Sequence, residues 1–450
     1  MPVKSFSTFL LFLLLIVPSG AYAGEHPAAD PQKKSTKQAS EPSTDDGPDG
    51  EVVRLGEIVV RAAPLTNPTT PVTTRYGTQY NIVTQEQIRE QNGPDFQSAL
   101  RDVPGVMFQS KNLMGSQTSH SLYIRGRGAS HPSSDFAILY DDVPRYGALF
   151  GQVLGDGIAL STIGGIEIFK SPQPSEFGSG YASVNVKPKY LREEGREIVI
   201  DVSGGSYDTF WQSLSAGLKK GPYDVYASQS WASSGGHRAH SRAQQQSYYV
   251  NTGYAVTDHW TTRFLANYTG SQTLAPLPET TPATTNGVSW PMAERFDTGT
   301  FLATLTLNHR YDHINGYFKA YVNDTDFDLL QELNKGVRYG GGSGGLSSRQ
   351  HILLYGIRLK EKGVFWPGGE IIFGADLDLS ELKNTQKTES GLAVPGINGG
   401  LAQRVWNFPK TTVLSPYVAV SQMLGLREGL HATPSAGYRY LHHSEFQSAS

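Results

Sequence analysis

A two-residue periodicity recurs along the chain after Tyr190, and it limits the possible folds more than any other feature. Apolar and polar residues alternate within each segment, so each segment predicts a β-strand with one apolar and one polar face. Such segments occupy residues 198–203, 210–219, 223–231, 260–268, 353–360 and 371–378. We count about ten or eleven strands of this kind between residues 191 and 450.

The connections between these strands alternate in length. Short connections at residues 220–222 and 257–259 contrast with long ones at about 271–298, 326–348 and 379–410. Short turns on one rim, long loops on the other and aromatic residues near strand ends are typical of an outer-membrane β-barrel. A soluble β-sandwich with one wetted face is the alternative for this half of the chain.

Composition narrows the protein class further. The 450 residues include 49 Gly, 19 Phe, 6 Trp and 23 Tyr, a mixture that suits a turn-rich β protein. A net charge of −3 argues against a nucleic-acid scaffold, because phosphate-binding proteins usually carry a basic surplus. Mean hydropathy of −0.35 and the lack of a long apolar run in the mature chain exclude a polytopic helical membrane protein. The absence of Cys excludes disulfides and thiolate metal sites.

The N-terminal segment has the order of a secretory signal peptide. Lys4 precedes an almost wholly apolar stretch from Phe6 to Val17, and Ala21-Tyr22-Ala23 follows as a cleavage site. We predict cleavage after Ala23 and export of the mature chain, against the alternative of a buried apolar helix. Residues 24–55 contain no aromatic side chain and are rich in Pro and charge, which predicts a flexible leader.

A short β-favouring run, from Glu57 to Pro64, stands alone after this leader. An isolated strand has little stability of its own. The run is suited to adding to the sheet edge of another protein by β-augmentation. The first strand of the following domain is an equally good interpretation of the pattern.

Residues from Tyr80 onward predict a compact α/β domain. Thr84 and Gln87 form a capping box that opens a short helix, and a second helix is predicted between Pro94 and Pro104. Strands are predicted at residues 122–126, 136–140 and 166–170. The stretch 176–186 alternates small and apolar residues, as expected of a strand packed closely against neighbouring backbone.

Several blocks follow one another in a recognisable order and spacing: Pro104-Gly105-Val106, Ile124-Arg125-Gly126, Tyr140-Asp141-Asp142-Val143-Pro144, Ile166-Glu167-Ile168-Phe169-Lys170-Ser171-Pro172 and Phe177-Gly178-Ser179. Together they resemble the plug of TonB-dependent outer-membrane receptors, and the run from Glu57 to Pro64 resembles their TonB box. The resemblance covers residues 56–450. The sequence departs from the family at Val184 to Pro188, where a Gly-Gly-Val-Ile-Asn-like run is usual, and at Lys170, where Arg is also common.

The resemblance implies a membrane all-β fold, a plugged antiparallel transmembrane β-barrel of about 22 strands with a small α/β plug domain. Roughly half of those strands are present, so the chain is expected to be a fragment. The predicted organisation is a signal peptide at 1–23, a periplasmic leader at 24–55, a TonB box at 56–64, a plug at 75–190 and a partial barrel at 191–450.

The resemblance also implies function. We expect a non-enzymatic receptor in a Gram-negative outer membrane that actively imports a metal chelate, with a ferric siderophore first and cobalamin or haem as alternatives. Its expected partners are TonB with the inner-membrane energising complex, the chelate and outer-membrane lipid, and it is expected to be a monomer without a cofactor or nucleic acid. A non-transporting surface adhesin or glycan binder is the alternative class.

Site residues follow from the matching positions. TonB binding is assigned to Glu57, Ile58, Val59, Val60, Arg61 and Ala62. Arg125 and Lys170 are expected to pair with acidic groups of the barrel. Ligand contact is expected at outward plug loops, including Gln109, Lys111, Arg145 and Tyr146, whose charge and aromatic ring suit an anionic, aromatic ligand.

Other chemical groupings are interpreted as structural. The close pairs His237 with His240 and His442 with His443 are interpreted as solvated rather than as a metal site. Asp141-Asp142 lies in a Val-Pro turn, which favours local hydrogen bonding over paired-carboxylate chemistry. No Ser, His and Asp set has local support as a catalytic triad.

Overall fold

The structure is a computed structural model of the chain. It describes residues 72–73, 79–93, 95–110, 120–127, 136–147, 152–153, 157–171, 181–276, 293–332, 338–339, 342–343, 346–388, 403–407, 410–427, 430–432, 434–440 and 442–443.

The first part of the described chain is a small α/β domain. Its strands are β1 (Val72–Thr73), β2 (Gln79–Thr84), β3 (Val106–Ser110), β4 (His120–Ile124), β5 (Ala137–Tyr140), β6 (Val143–Pro144), β7 (Tyr146–Gly147), β8 (Gln152–Val153), β9 (Ile163–Phe169) and β10 (Ser183–Pro188), with helix α1 at Gln85–Gln91. Six strands form a mixed sheet in the order β1-β2-β9-β10-β5-β6, in which β10 and β5 are parallel. Its core includes Val83, Leu100, Ile138, Ile166 and Val184.

Helix α1 begins as the sequence predicts. The Thr84 hydroxyl accepts a hydrogen bond from the Gln87 amide, and the Gln87 side chain accepts one from the Thr84 amide. This reciprocal pair satisfies two N–H groups that the first turn would otherwise leave without partners. Asn92 ends the helix in a left-handed conformation.

The second helix, predicted between Pro94 and Pro104, is wrong in type and length. The described residues there form only a 3-10 turn at Ser98–Leu100. Asp95 and Ser98 exchange side-chain and backbone hydrogen bonds over three residues, including Ser98 N–H to Asp95 Oδ1 at 2.8 Å. Such local bonds compete with the helical pattern and close a tighter turn.

The second part of the described chain is one long antiparallel sheet. Its strands are β11 (Gly195–Gly205), β12 (Thr209–Lys220), β13 (Tyr223–Ser234), β14 (Ala243–Ala255), β15 (Trp260–Pro276), β16 (Ala293–Arg310), β17 (Ile314–Glu332), β20 (Leu346–Gly363), β21 (Gly369–Thr388), β22 (Gln403–Asn407), β23 (Thr411–Gln422), β26 (Ser435–Arg439) and β27 (His442–His443). Four short strands lie outside this sheet, namely β18 (Arg338–Tyr339), β19 (Gly342–Ser343), β24 (Leu424–Arg427) and β25 (Leu430–Ala432).

Eleven of these described strands follow one another along the sheet from β11 to β26, in agreement with the ten or eleven counted from periodicity. The predicted faces are also confirmed at the residues that the structure describes. Phe264 and Ile357 are exposed, whereas Asn267 and Asp376 are buried. Alternation therefore places the apolar face outward and the polar face toward the α/β domain. No helix among the described residues is long and apolar enough to cross a membrane.

Candidate functional site

A two-residue turn at the tip of the β5–β6 hairpin brings the α/β domain into contact with the polar face of the long sheet. We call this face the wall. Leu139 pairs with Pro144 and Tyr140 with Val143, which leaves Asp141 and Asp142 as the turn. Their φ values are 53° and 64°, as a type I′ hairpin turn requires. Aspartate tolerates this left-handed region better than most residues, because its short side chain can bond locally.

The turn carboxylates meet Lys319, which projects inward from β17 and is 2% exposed. The Lys319 ammonium lies 2.8 Å from Asp141 Oδ2 and 3.7 Å from Asp142 Oδ2, and it also donates to the Asp141 carbonyl. The Thr304 hydroxyl of β16 donates to Asp141 Oδ2 at 3.2 Å. The turn is therefore joined to β16 and β17 by a partly buried, charge-assisted contact.

Asp142 is held from the domain side as well. Asn185 Nδ2 donates to its Oδ1 at 2.7 Å, and Lys187 Nζ lies 3.3 Å from the same oxygen. Burial opposes ionisation of Asp142, but Lys187 and Lys319 outweigh it and hold its pKa far below the ordinary value. Burial likewise opposes the charge on Lys187, yet Asp142 and Glu167 raise its pKa above the ordinary value. Both groups are therefore charged at neutral pH.

Arg145, a predicted ligand contact, lies between the domain and the wall and is 2% exposed. Its guanidinium donates to Asn323 Oδ1 at 2.6 Å and to the Gly157 carbonyl at 2.9 Å. A Cβ on Gly157 would stand 2.4 Å from Arg145 Nη2, so a larger residue there would displace the guanidinium. Burial lowers the pKa of Arg145 to about 10, which still leaves it charged at neutral pH.

The segment that joins the domain to the sheet, at Lys189 and Tyr190, also contacts the wall through hydrogen bonds and a cation–π contact. The Lys189 carbonyl accepts hydrogen bonds from Tyr249 Oη at 2.6 Å and from Asn251 Nδ2 at 3.2 Å. The Arg263 guanidinium lies 3.9 Å from the centre of the Tyr190 ring. Arg263 is itself fixed by two hydrogen bonds to Asp224, at 2.8 and 2.9 Å.

Arg125 and Lys170 lie close to each other in the structure. Lys170 Nζ donates to the Pro104 carbonyl, and burial together with the nearby Arg125 lowers the pKa of Lys170. Arg125 has a left-handed φ of 50°, and its amide donates to the Gly105 carbonyl at 2.7 Å. Within the described residues, neither side chain makes an ion pair with a carboxylate of the sheet, so their pairing with the barrel stays a prediction.

The remaining predicted residues fall partly or wholly outside the described chain. Residues 57–62 and Lys111 lie outside it. Gln109 belongs to β3 and Tyr146 to β7, and the structure describes only their backbone. Among the residues it does describe, no three His, Asp or Glu side chains form a cluster that could bind a metal ion.

Sequence reasoning missed the contacts to Lys319, Asn323 and Asn185. A weak signal was available for Lys319, because it lies between Tyr317 and Tyr321 at positions that alternation turns inward. A lysine on the inner face of a barrel needs either water or a carboxylate. The sequence alone does not say which carboxylate, since Asp141 is 178 residues away.

Comparison with known families identifies the first domain. Residues 74–183 match the family described as TonB-dependent Receptor Plug Domain. The chain contains a TonB-dependent receptor plug domain. We therefore call the α/β domain the plug and the long sheet the partial barrel. No curated protein sequence matches the chain.

Solved structures share the architecture of plug and barrel together. The chain is similar to Pseudomonas aeruginosa FpvA bound to heterologous pyoverdines, with a TM-score of 0.64 and 12% identity over 82% of this chain and 52% of FpvA. It is similar to the ferric yersiniabactin uptake receptor FyuA of Yersinia pestis, with a TM-score of 0.61 and 11% identity over 81% and 61% of the two chains. A copper transporter, OprC, matches with a TM-score of 0.61 and 13% identity over 81% of this chain and 54% of OprC.

These comparisons confirm the resemblance and the fold class given by the sequence, a plug with a partial antiparallel β-barrel. The chain spans about half to three-fifths of the matched structures. The matched family and structures are receptors and transporters, not enzymes, as expected from the sequence.

Proposed function

We propose that the protein is a receptor for active import across the outer membrane of a Gram-negative bacterium, and that a metal chelate is its cargo. One observation supports this most strongly: a TonB-dependent receptor plug domain lies against the polar inner face of the barrel strands. A wide barrel needs such a plug because its lumen would otherwise leak.

Energy for import would come from TonB and the inner-membrane complex that drives it. The outer membrane has no nucleotide supply, and the sequence has no GxxxxGK[ST] loop for phosphate binding. We assign TonB binding to residues 57–62, where the backbone of an extended segment can add to a sheet edge. The boundaries proposed for the signal peptide, leader, TonB box, plug and barrel are those predicted from the sequence.

A ferric siderophore is the cargo that we favour. The matched FpvA is described with pyoverdines and the matched FyuA as a ferric yersiniabactin receptor. Copper is a second candidate, because the copper transporter OprC matches with a similar TM-score. Cobalamin and haem are further alternatives.

We propose that the protein works as a monomer whose exposed apolar side chains, such as Phe264 and Ile357, contact lipid.

Energised import can be tested at Val60. Val60→Pro removes a backbone donor and fixes φ near −65°, so it should break a central hydrogen bond to TonB. Val60→Thr keeps the donor and the β preference and serves as the matched control. We expect Val60→Pro to bind chelate normally but to fail to accumulate it, while Val60→Thr does both.

Four cargoes are tested separately. They are radiolabelled iron complexes of pyoverdine, of yersiniabactin and of a catecholate, and a copper salt. Binding is measured on de-energised cells and accumulation on energised cells. Full accumulation by Val60→Pro would show that this segment does not couple the receptor to TonB. Accumulation of copper without any iron complex would favour the second candidate.

A further inference from the structure

Lys319 contacts both carboxylates of the β5–β6 turn. It lies mid-strand on β17, paired in register with Thr306 of β16 and Arg358 of β20. Its ammonium lies 5.3 Å from the centre of the Tyr317 ring and forms ion pairs with Asp141 and Asp142. Lys319 therefore contributes its charge to the plug.

The plug side of this contact carries an excess of carboxylates, which favours a cationic partner. Both turn residues adopt left-handed φ values, so two adjacent carboxylates project from one tight turn. Lys187 neutralises one of them but is shared with Glu167 at 3.4 Å. Three carboxylates and a single plug lysine would leave this corner strongly negative, and the wall lysines Lys319 and Lys360 reduce that charge.

We propose that Lys319 is the positioning residue that seats the plug, by holding the Asp141-Asp142 turn against β16 and β17. This inference deepens the proposed function, since it rests on the plug closing the barrel. Removal of Lys319 alone leaves the Asp141 carboxylate without its ion-pair partner and leaves Asp142 with Lys187 as its remaining ion pair, which drives the hairpin toward water. Removal of the lysine and both carboxylate charges together restores a neutral contact, and the hairpin seats again.

Plug seating can be measured without ligand or TonB, because the chain has no natural Cys. Ser230, which projects inward from β13, is 5% exposed and its Oγ lies 3.0 Å from that of Ser161 in the plug. Ser230→Cys therefore reports whether the plug covers the wall. Asp312→Cys, in an exposed turn, gives the rate for an accessible thiol. Maleimide labelling of both is followed on the protein in outer-membrane vesicles.

We expect Lys319→Met to speed labelling of the Ser230→Cys reporter at least about tenfold, because opening exposes the covered wall. The triple variant Lys319→Met, Asp141→Asn, Asp142→Asn should return the rate to near that of the parent. Lys319→Arg should stay closer to the parent than Lys319→Met. As a matched control, Lys362→Met removes a lysine that pairs with Glu370 across β20 and β21, and it should leave the rate unchanged.

Equal labelling of parent and Lys319→Met would overturn the proposal. Equal, fast labelling of Lys319→Met and the triple variant would also overturn it, since lysine packing and not charge would then be responsible. If Lys319→Met does not reach the membrane, the double variant Asp141→Asn, Asp142→Asn tests the same pair from the plug side, and unchanged labelling there contradicts the inference. None of these readings depends on import, so they stay separate from the Val60 result.

Discussion

The two halves of the plug differ in how they meet the barrel. The C-terminal half, residues 136–189, makes a largely buried ion pair of Asp141 with Lys319 at 2.8 Å, with side chains 19% and 2% exposed, and a buried hydrogen bond of Arg145 with Asn323 at 2.6 Å. The N-terminal half, residues 79–127, reaches the barrel through Arg89 and Asp201 at 3.3 Å, with side chains 53% and 34% exposed. Exposed ion pairs contribute about 0–1 kcal/mol, whereas breaking a buried pair costs about 3–5 kcal/mol. The C-terminal half is thus the anchored part.

The seam between the halves is an ordinary strand pairing. β2 of the N-terminal half pairs antiparallel with β9 of the C-terminal half over four residue pairs, from Asn81 with Ile168 to Thr84 with Gly165. A pull on the N-terminus reaches β1 and β2 before any other strand of the plug sheet. The N-terminal half should therefore move first, while the C-terminal half stays seated.

The largest expected difference between the two halves is in chelate accumulation, when each half is held by an engineered disulfide. Ser161→Cys with Ser230→Cys joins the C-terminal half to the wall, at side chains already 3.0 Å apart. Ile82→Cys with Glu167→Cys joins β2 to β9 at directly paired positions. We expect the first bond to leave energised chelate accumulation intact and the second to abolish it. A reductant should restore accumulation in the second.

Single-cysteine variants at the same four positions are the controls for lost side chains. Glu167→Cys matters most among them, because Glu167 contacts Lys187 at 3.4 Å. A block by the Ser161–Ser230 bond would mean that the anchored half must leave the wall. Normal accumulation with the Ile82–Glu167 bond closed would mean that the seam stays shut during import.

A smaller difference is expected from paired arginine substitutions. Arg145→Met leaves the Asn323 and Gly157 oxygens without their charged donor, which should weaken plug seating by about 2–3 kcal/mol. Arg89→Met removes an exposed pair and should cost less than about 1 kcal/mol. Protection of the Ser230→Cys thiol against increasing urea measures both. Equal losses in the two variants would remove the distinction between anchored and loose halves.

Sequence periodicity was enough to predict the barrel wall, because alternation depends only on neighbours in the chain. It predicts alternating faces over residues 260–268, and in the structure Phe264 is exposed whereas Asn267 is buried. The capping box at Thr84 is equally local and was also predicted. The contact of Asp141 with Lys319 was not predicted, because the two residues are 178 positions apart and only the folded arrangement brings them together. The turn at Asp141-Asp142 was predicted from the sequence, but the local hydrogen bonding predicted for its carboxylates was wrong, because they contact Asn185, Lys187 and Lys319.

The smallest of these expected effects is a loss of stability of the anchored half at acidic pH, through protonation of Asp142. Its folded pKa is held far below the ordinary value of 3.8 by Lys187 and Lys319, against the opposing effect of burial. A lowered carboxyl pKa stabilises the folded state fully above the unfolded pKa and loses that contribution as pH falls toward the folded pKa. Plug stability attributable to Asp142 should therefore be constant from neutral pH to about pH 5 and decline below about pH 4.

The comparison that isolates this contribution is parent against Asp142→Asn, since other carboxylates titrate equally in both proteins. Thermal unfolding of the plug, followed by protease sensitivity of the hairpin region, gives a Tm for each at pH 7, 5 and 3. We expect the parent to exceed Asp142→Asn by a similar margin at pH 7 and 5, and by a smaller margin at pH 3. A margin that grows as the pH falls would require Asp142 to bind its proton more readily in the folded state, and the ion-paired arrangement with Lys187 and Lys319 would then be wrong.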